Sequence, residues 1–265
     1  MGLVGWFRKT FLTASDPNQP QLVLAGLGFD EAIALIAAGS WRVDVNREAR
    51  QFPLQFGPEV IPELWRRYES IGEPHPNFEA RKRSMTEWIE CWWRALEAIL
   101  CSYREHALPS LWERVDTNDR ALLLLCRLAA EGVERELILA GLRDRLPGMA
   151  PERHEFLVEN SEYSARRDSD LAVVLTYLRQ VPAFERATVE VLCRRVFEEP
   201  DDTELVAVLK KLIPTLSRSA RNLVAERLHS RAKYDSVRAV IEELRQVPAF
   251  EHAFDEVRPS TDSTR

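Results

Sequence analysis

The stretch that decides the fold is "LAVVLTYLRQVPAFE", Leu171–Glu185. Its first eight residues place Leu171, Val174, Leu175 and Leu178 at positions one, four, five and eight. On an α-helix those positions form a single apolar stripe. The same template, [LV]-x-x-V-[LI]-x-x-L, fits "LVAVLKKL" (Leu205–Leu212) and "VRAVIEEL" (Val237–Leu244). The last eight residues, "LRQVPAFE" (Leu178–Glu185), return unchanged at Leu244–Glu251. Stripes that begin at 171, 205 and 237 define a period of about 33 residues, which is the length of one supersecondary unit in a repeat protein.

Each stripe carries start and stop signals. "RDSD" (Arg167–Asp170), "PDDT" (Pro200–Thr203) and "YDS" (Tyr234–Ser236) offer Asp and Ser oxygens to the orphan N–H groups of a first helical turn. Pro182, Pro214 and Pro248 are expected to stop or bend the first helix, because proline lacks the N–H and clashes with the preceding turn. A second helix follows, as in "AFERATVEVLCRRVFEE" and "SRSARNLVAERLHSRA". A less regular copy precedes them at "DTNDRALLLLCRL", "GVERELILAGLRDRLP" and "PERHEFLVEN". A helix pair this short cannot bury its own apolar face, so the units are expected to stack into an α-solenoid.

The stripe positions and the proline turns after them resemble those of HEAT-like (armadillo/HEAT-type) helical-repeat proteins, over roughly residues 118–257. Tetratricopeptide repeats have a similar period, but their small and aromatic signature is not visible. The resemblance implies an all-α fold whose second part is a short HEAT-like α-solenoid presenting an extended surface to a protein partner. Some bacterial DNA glycosylases that excise alkylated bases are also built on such repeats, with an aspartate one helical turn after a tryptophan. Trp112 and Asp116 of "WERVD" match that spacing on one helix face. The likeness implies an aromatic wall and a carboxylate that stabilises a developing sugar cation. The further tryptophan and arginine partners are not found downstream. The packed alternative has Asp116 capping the helix at "DTND".

All seven tryptophans (Trp6, Trp41, Trp65, Trp88, Trp92, Trp93, Trp112) lie in the first part, so composition shifts near 112–118. Three regions are expected: a Trp-rich helical region at 1–117, the repeats at 118–257, and a disordered tail, "RPSTDSTR", at 258–265. "FDEAIALIAAG", "PEVIPELWRRYESIG" and the long "NFEARKRSMTEWIECWWRALEAILCSYREHAL", with a break near Ser84, read as helices. "WRVDV" and "FPLQF" read as short extended pieces that build no sheet. Trp88 and Trp92 share one face of "WIECWWRALEAIL", and Ile89 and Trp93 another. This makes it the expected central helix of the first part. Trp88 and Trp92 are also candidate partner anchors, since tryptophan is enriched at interface hot spots. Leu3, Trp6 and Phe7 lie on one helical face that could cover a core or touch a membrane surface peripherally.

The chain has 265 residues, 45% hydrophobic and 29% charged, with a net charge of -6. It therefore has core-forming capacity but no overall basic field for nucleic acid. No apolar run approaches a membrane span. Cys91, Cys101, Cys126 and Cys193 sit in apolar helical stretches without a CxxC pair, as expected of buried thiols in a reducing, cytoplasmic compartment. Arginine greatly outnumbers lysine, the usage of a GC-rich, bacterial coding sequence. GxGxxG, GxxxxGK[ST], HExxH, GxSxG and EF-hand patterns are missing. The histidines (His75, His106, His154, His229, His252) have no metal-ligand spacing. Neither cofactor nor metal is expected.

"EEPDD" at Glu198–Asp202 reads as helix capping rather than a cation site. Arginines recur on the second helices. Their expected role is a solvated face with i,i+4 partners such as Glu190 to Arg194. Arg194, Arg195, Arg218 and Arg221 are the alternative strip for nucleic acid. The function expected is a non-enzymatic protein-interaction module. The octapeptide is a structural joint in which Leu178, Leu244, Phe184 and Phe250 pack. Arg179, Gln180, Arg245 and Gln246 are the exposed candidates for partner contact.

Overall fold

The computed structural model of the protein describes residues 24–39, 48–79, 84–165, 169–250 and 253. Leu3, Trp6, Phe7, "WRVDV", Arg167 and the tail at 258–265 lie outside the described residues. Among the described residues the regular structure is helical and no strand occurs. The expected all-α class holds. The packing divides the chain into two units, Met1–Leu128 and Ala129–Arg265. The composition shift lies a little earlier, near 112–118.

The first unit contains α1 (Phe29–Gly39), α2 (Phe52–Gln55), α3 (Ile61–Glu69), α4 (Pro76–Glu79), α5 (Met85–Ser102), α6 (Leu108–Arg114) and most of α7 (Asp119–Ala130). Helix α5 is its centre, with α1, α2 and α3 packed on it. It starts at Ser84 with a capping box. The Ser84 hydroxyl accepts from the Glu87 N–H, and the Glu87 carboxylate accepts from the Ser84 N–H. Trp88, Trp92, Leu96 and Ile99 are buried along it. The Trp88 indole donates to the Gly72 carbonyl (2.8 Å) and that of Trp92 to the Arg67 carbonyl (3.0 Å). Gly72 must be glycine, because a Cβ there would meet the Trp92 ring at 2.4 Å. "FPLQF" is a turn of helix instead of an extended piece. Phe52 and Phe56 stand at i,i+4 with rings 4.6 Å apart, and Phe29 packs edge-on to both.

The second unit contains α8 (Arg135–Arg145), α9 (Pro151–Ala165), α10 (Ser169–Leu178), α11 (Pro182–Glu198), α12 (Thr203–Leu212), α13 (Arg218–Ser230) and α14 (Asp235–Leu244). Packing skips one helix. Helix α8 lies on α10 and α12 on α14, while α9 lies on α11 and α11 on α13. Contacts of α9 with α10 and of α11 with α12 join the two series. Every stripe residue of α10, α12 and α14 is buried except Val208, which is half-buried. Each full burial stabilises by about 1.5–3 kcal/mol. Ion pairs cross the same neighbours. Arg194 on α11 meets Glu155 (2.9 Å) and Glu159 on α9, Arg227 on α13 meets Glu190 on α11 (2.6 Å), and Lys210 on α12 meets Glu243 on α14 (2.8 Å). The expected i,i+4 pairing of Glu190 with Arg194 is thus replaced by contacts between adjacent helices, where both partners reach a closer opposite charge.

The punctuation is partly different from expectation. Asp202 caps α12 by accepting from the Glu204 and Leu205 N–H groups (3.0 and 3.2 Å), so this acidic run does serve as a cap. At "YDS" the N-cap is Tyr234, with no side-chain cap, and Asp235 is inside the first turn, paired with Arg238 (3.0 Å). Pro182 opens α11 at its first position rather than ending α10. Pro214 lies in a 3-10 turn, Ile213–Thr215, and α13 begins after it with Ser217 as N-cap.

The Cys126 and Cys193 thiols are buried, and burial pushes each up to about 12. Protons held more tightly by the folded chain add stability that is complete below the unfolded value, near 9, and is lost as pH rises toward the folded one. Stability should therefore fall above pH 9, by about 1.4 kcal/mol per pH unit for each thiol. Urea unfolding from pH 8 to 10 checks this. Cys126→Ala should reduce the slope, and an unchanged slope contradicts the assignment.

Candidate functional site

The first octapeptide copy borders a groove of about 1030 Å³ in the second unit, between the end of α10 and the start of α13. The turn is closed by backbone bonds from Arg179 N to Leu175 O and from Val181 N to Leu178 O, both 2.9 Å. The second copy repeats them, from Arg245 N to Ile241 O and from Val247 N to Leu244 O, both 2.9 Å. Identical sequence therefore encodes one turn geometry twice. Phe184 and Phe250 are wholly buried beneath the two turns, with the buried His154 ring edge-on to Phe184. Gln180 and Gln246 are exposed, while Arg179 and Arg245 are half-buried. Arg245 also donates to Glu242 (2.8 Å).

Glu185 gives the octapeptide a further role that sequence reasoning missed. One carboxylate oxygen accepts from the Ser217 N–H (2.7 Å) and the other from the Ser217 hydroxyl (2.6 Å). That hydroxyl in turn accepts from the Ala220 N–H, capping α13. The first joint thus orients the start of a helix 32 residues ahead. The signal was present, because the middle copy lacks the Phe-Glu pair and has Ser217 near the corresponding turn.

The groove carries charges of both signs, with Arg179 and Arg186 against Glu185 and Glu226. Thr176, Gln180, Ser219 and Asn222 add neutral donors and acceptors, and Leu216 and Leu223 add apolar surface. Such a lining suits a peptide, which presents amides, carbonyls and mixed side chains. It does not match a polyphosphate strand, whose recognition needs a surplus of cations.

The other sequence candidates are placed elsewhere. Trp88 and Trp92 are core residues, so they offer no anchor at the surface. Trp112 is half-buried on α6, but the helix ends at Arg114 and Asp116 lies in the following turn. In that turn the Thr117 and Asn118 N–H groups bond the Arg114 carbonyl (3.0 and 2.8 Å). Asn118, not Asp116, caps α7 by accepting from the Arg120 and Ala121 N–H groups. Arg194 is engaged by Glu155 and Glu159, Arg195 and Arg221 are half-buried, and Arg218 is exposed. Glu155 and Glu159 offset the charge of Arg194, and Glu190 that of the neighbouring Arg227 on α13.

Among the described residues no group of three His, Cys, Asp or Glu side chains is placed to hold a metal ion, and no helix is long and apolar enough to cross a membrane. Comparison with protein-family models, with curated proteins and with solved structures gave no match.

Replacing Glu185 or Ser217 by Ala should each destabilise the chain by about 1–2 kcal/mol, a charge-assisted hydrogen bond discounted for partial exposure. A double-mutant cycle read by urea unfolding should be clearly non-additive. Additive losses would show that the two side chains act independently.

Proposed function

We propose that the chain is a non-enzymatic protein-interaction module, cytoplasmic and bacterial, whose second unit is a short HEAT-like α-solenoid. In this reading the octapeptide turns are joints between stacked units. The groove beside the first joint receives an extended segment of a protein partner, with Arg179 and Gln180 at its rim. Arg245 and Gln246 repeat that pair on the second turn.

Three observations support the stacking. Buried stripes recur with a period of about 33 residues, helices pack on the next-but-one helix, and polar ties fall 32, 33, 35, 37 and 39 residues apart. Ties at one repeat length are what neighbouring units of a solenoid make with each other. The mixed charge of the groove carries the choice of a polypeptide over nucleic acid. The step from repeat surface to protein binding is an argument by fold analogy. Four buried cysteines in the thiol form fit a reducing compartment.

Affinity purification from the native host, resolved by size, tests the reading. Wild-type protein should recover a stoichiometric protein partner. Arg186→Glu with Gln180→Ala should weaken recovery about tenfold or more while leaving the circular dichroism of the helices unchanged, since both side chains are exposed. Free monomer throughout, or salt-dependent binding of duplex DNA in its place, contradicts the proposal.

A further inference from the structure

Resting on the reading of the groove beside the first joint as a peptide site, we propose that it selects an extended segment with an acidic and a basic side chain four residues apart. The acid meets Arg186 and the base meets Glu226. One side of the groove is a single stripe of α13, where Ser219, Asn222, Leu223 and Glu226 stand at i, i+3, i+4 and i+7. The other side comes from the end of α10 and the first turn of α11, where Pro182, Glu185 and Arg186 stand at i, i+3 and i+4. The trough between them has a volume of about 1030 Å³.

Only some charges in the groove are available to a ligand. Both oxygens of Glu185 are taken by Ser217, one by its N–H (2.7 Å) and one by its hydroxyl (2.6 Å). Arg179 is half-buried and already engaged, so the match does not need it. Arg186 and Glu226 differ from these. Both are exposed, both line the groove, and among the described residues neither forms an ion pair. Arg227, the neighbour of Glu226, is held by Glu190 on α11 (2.6 Å). Gln180 and Ser219 are exposed as well and offer hydrogen bonds to a peptide backbone.

The Glu185–Ser217 contact fixes which end is which. Arg186 follows Glu185 in the chain and so stands at the start of α13, while Glu226 lies toward its other end. From Ser217 to Glu226 the helix rises about 13 Å. An extended chain covers that distance in about four residues, and its side chains at i and i+4 point to the same side. One acid and one base at that spacing therefore reach both free charges at once. Leu216 and Leu223 give apolar contact to the residues between them. A nucleic-acid strand would bring phosphates against Glu226, and a purely basic segment would meet Arg186.

The test is calorimetric titration of the full chain with the blocked heptapeptide Thr-Glu-Thr-Val-Thr-Lys-Thr. Three control peptides carry glutamine, glutamate or lysine at both charged positions. The mixed peptide should bind about fivefold or more tightly than each control, the scale of two partly exposed ion pairs. Arg186→Glu should switch the preference to the dibasic peptide, and Glu226→Lys to the di-acidic one, with the helical circular dichroism unchanged. A purely structural role for either side chain would not exchange these preferences. Equal binding of all four peptides overturns the charge match and leaves the groove as a peptide site. Binding of none of them up to about 1 mM overturns the peptide groove as well. Preference of the wild type for the di-acidic peptide would assign the groove to a polyanion and overturn the proposal. A dimer of the chain that excludes the mixed peptide would assign it to a second copy, with the same consequence.

Discussion

Helices of ten residues with a one-sided apolar stripe cannot cover themselves. That constraint governs the second unit. Helices α10, α12 and α14 each present four stripe residues, nearly all fully buried, and each must find its cover on other helices. For α12 and α14 the cover comes from the longer α11 and α13, which carry Val189, Leu192, Val196, Val224 and Leu228 into the same core, and for α10 it comes from α8 and α9. Once that packing is set, the polar ties follow. Arg194, Arg227 and Lys210 reach carboxylates on the adjacent helix, and Glu185 reaches the cap of α13. The ion pairs are partly exposed and each adds little. The buried stripes supply most of the stabilisation.

The first unit is organised differently. Its central helix is buried along most of its length, and the Trp88 and Trp92 indoles are satisfied by backbone carbonyls rather than by periodic neighbours. Glu97 is the buried carboxylate of that helix. A carboxylate among buried Trp92, Leu96 and Ile99 is tolerated because α7 brings two arginines to it.

What was legible in the sequence was periodic or local. The stripes, the burial of Phe184 and Phe250, the cap at Asp202 and the centrality of "WIECWWRALEAIL" all follow from spacing along one helix. What was not legible depends on which helices become neighbours. Arg194 looked like a partner for Glu190 at i,i+4, and the structure gives it Glu155 and Glu159 from another helix. The helix that carries Trp112 ends at Arg114, and Asp116 lies in the turn that follows. Glu97, Arg120 and Arg127 are unremarkable charges in the chain and become a cluster only through the packing of α5 with α7. The proline turns fall between these cases. Proline marked each junction correctly, but whether it ends one helix or opens the next depends on the residues around it, as Pro182 and Pro214 show.

The central claim is that "LRQVPAFE" is repeated for packing. The most direct measurement is the urea unfolding free energy of Phe184→Ala and Phe250→Ala beside Gln180→Ala and Gln246→Ala. The buried rings should each cost about 3–5 kcal/mol on truncation, and the exposed glutamines should stay within about 0.5 kcal/mol of wild type. Small losses at the two phenylalanines together with large losses at the two glutamines would contradict the account.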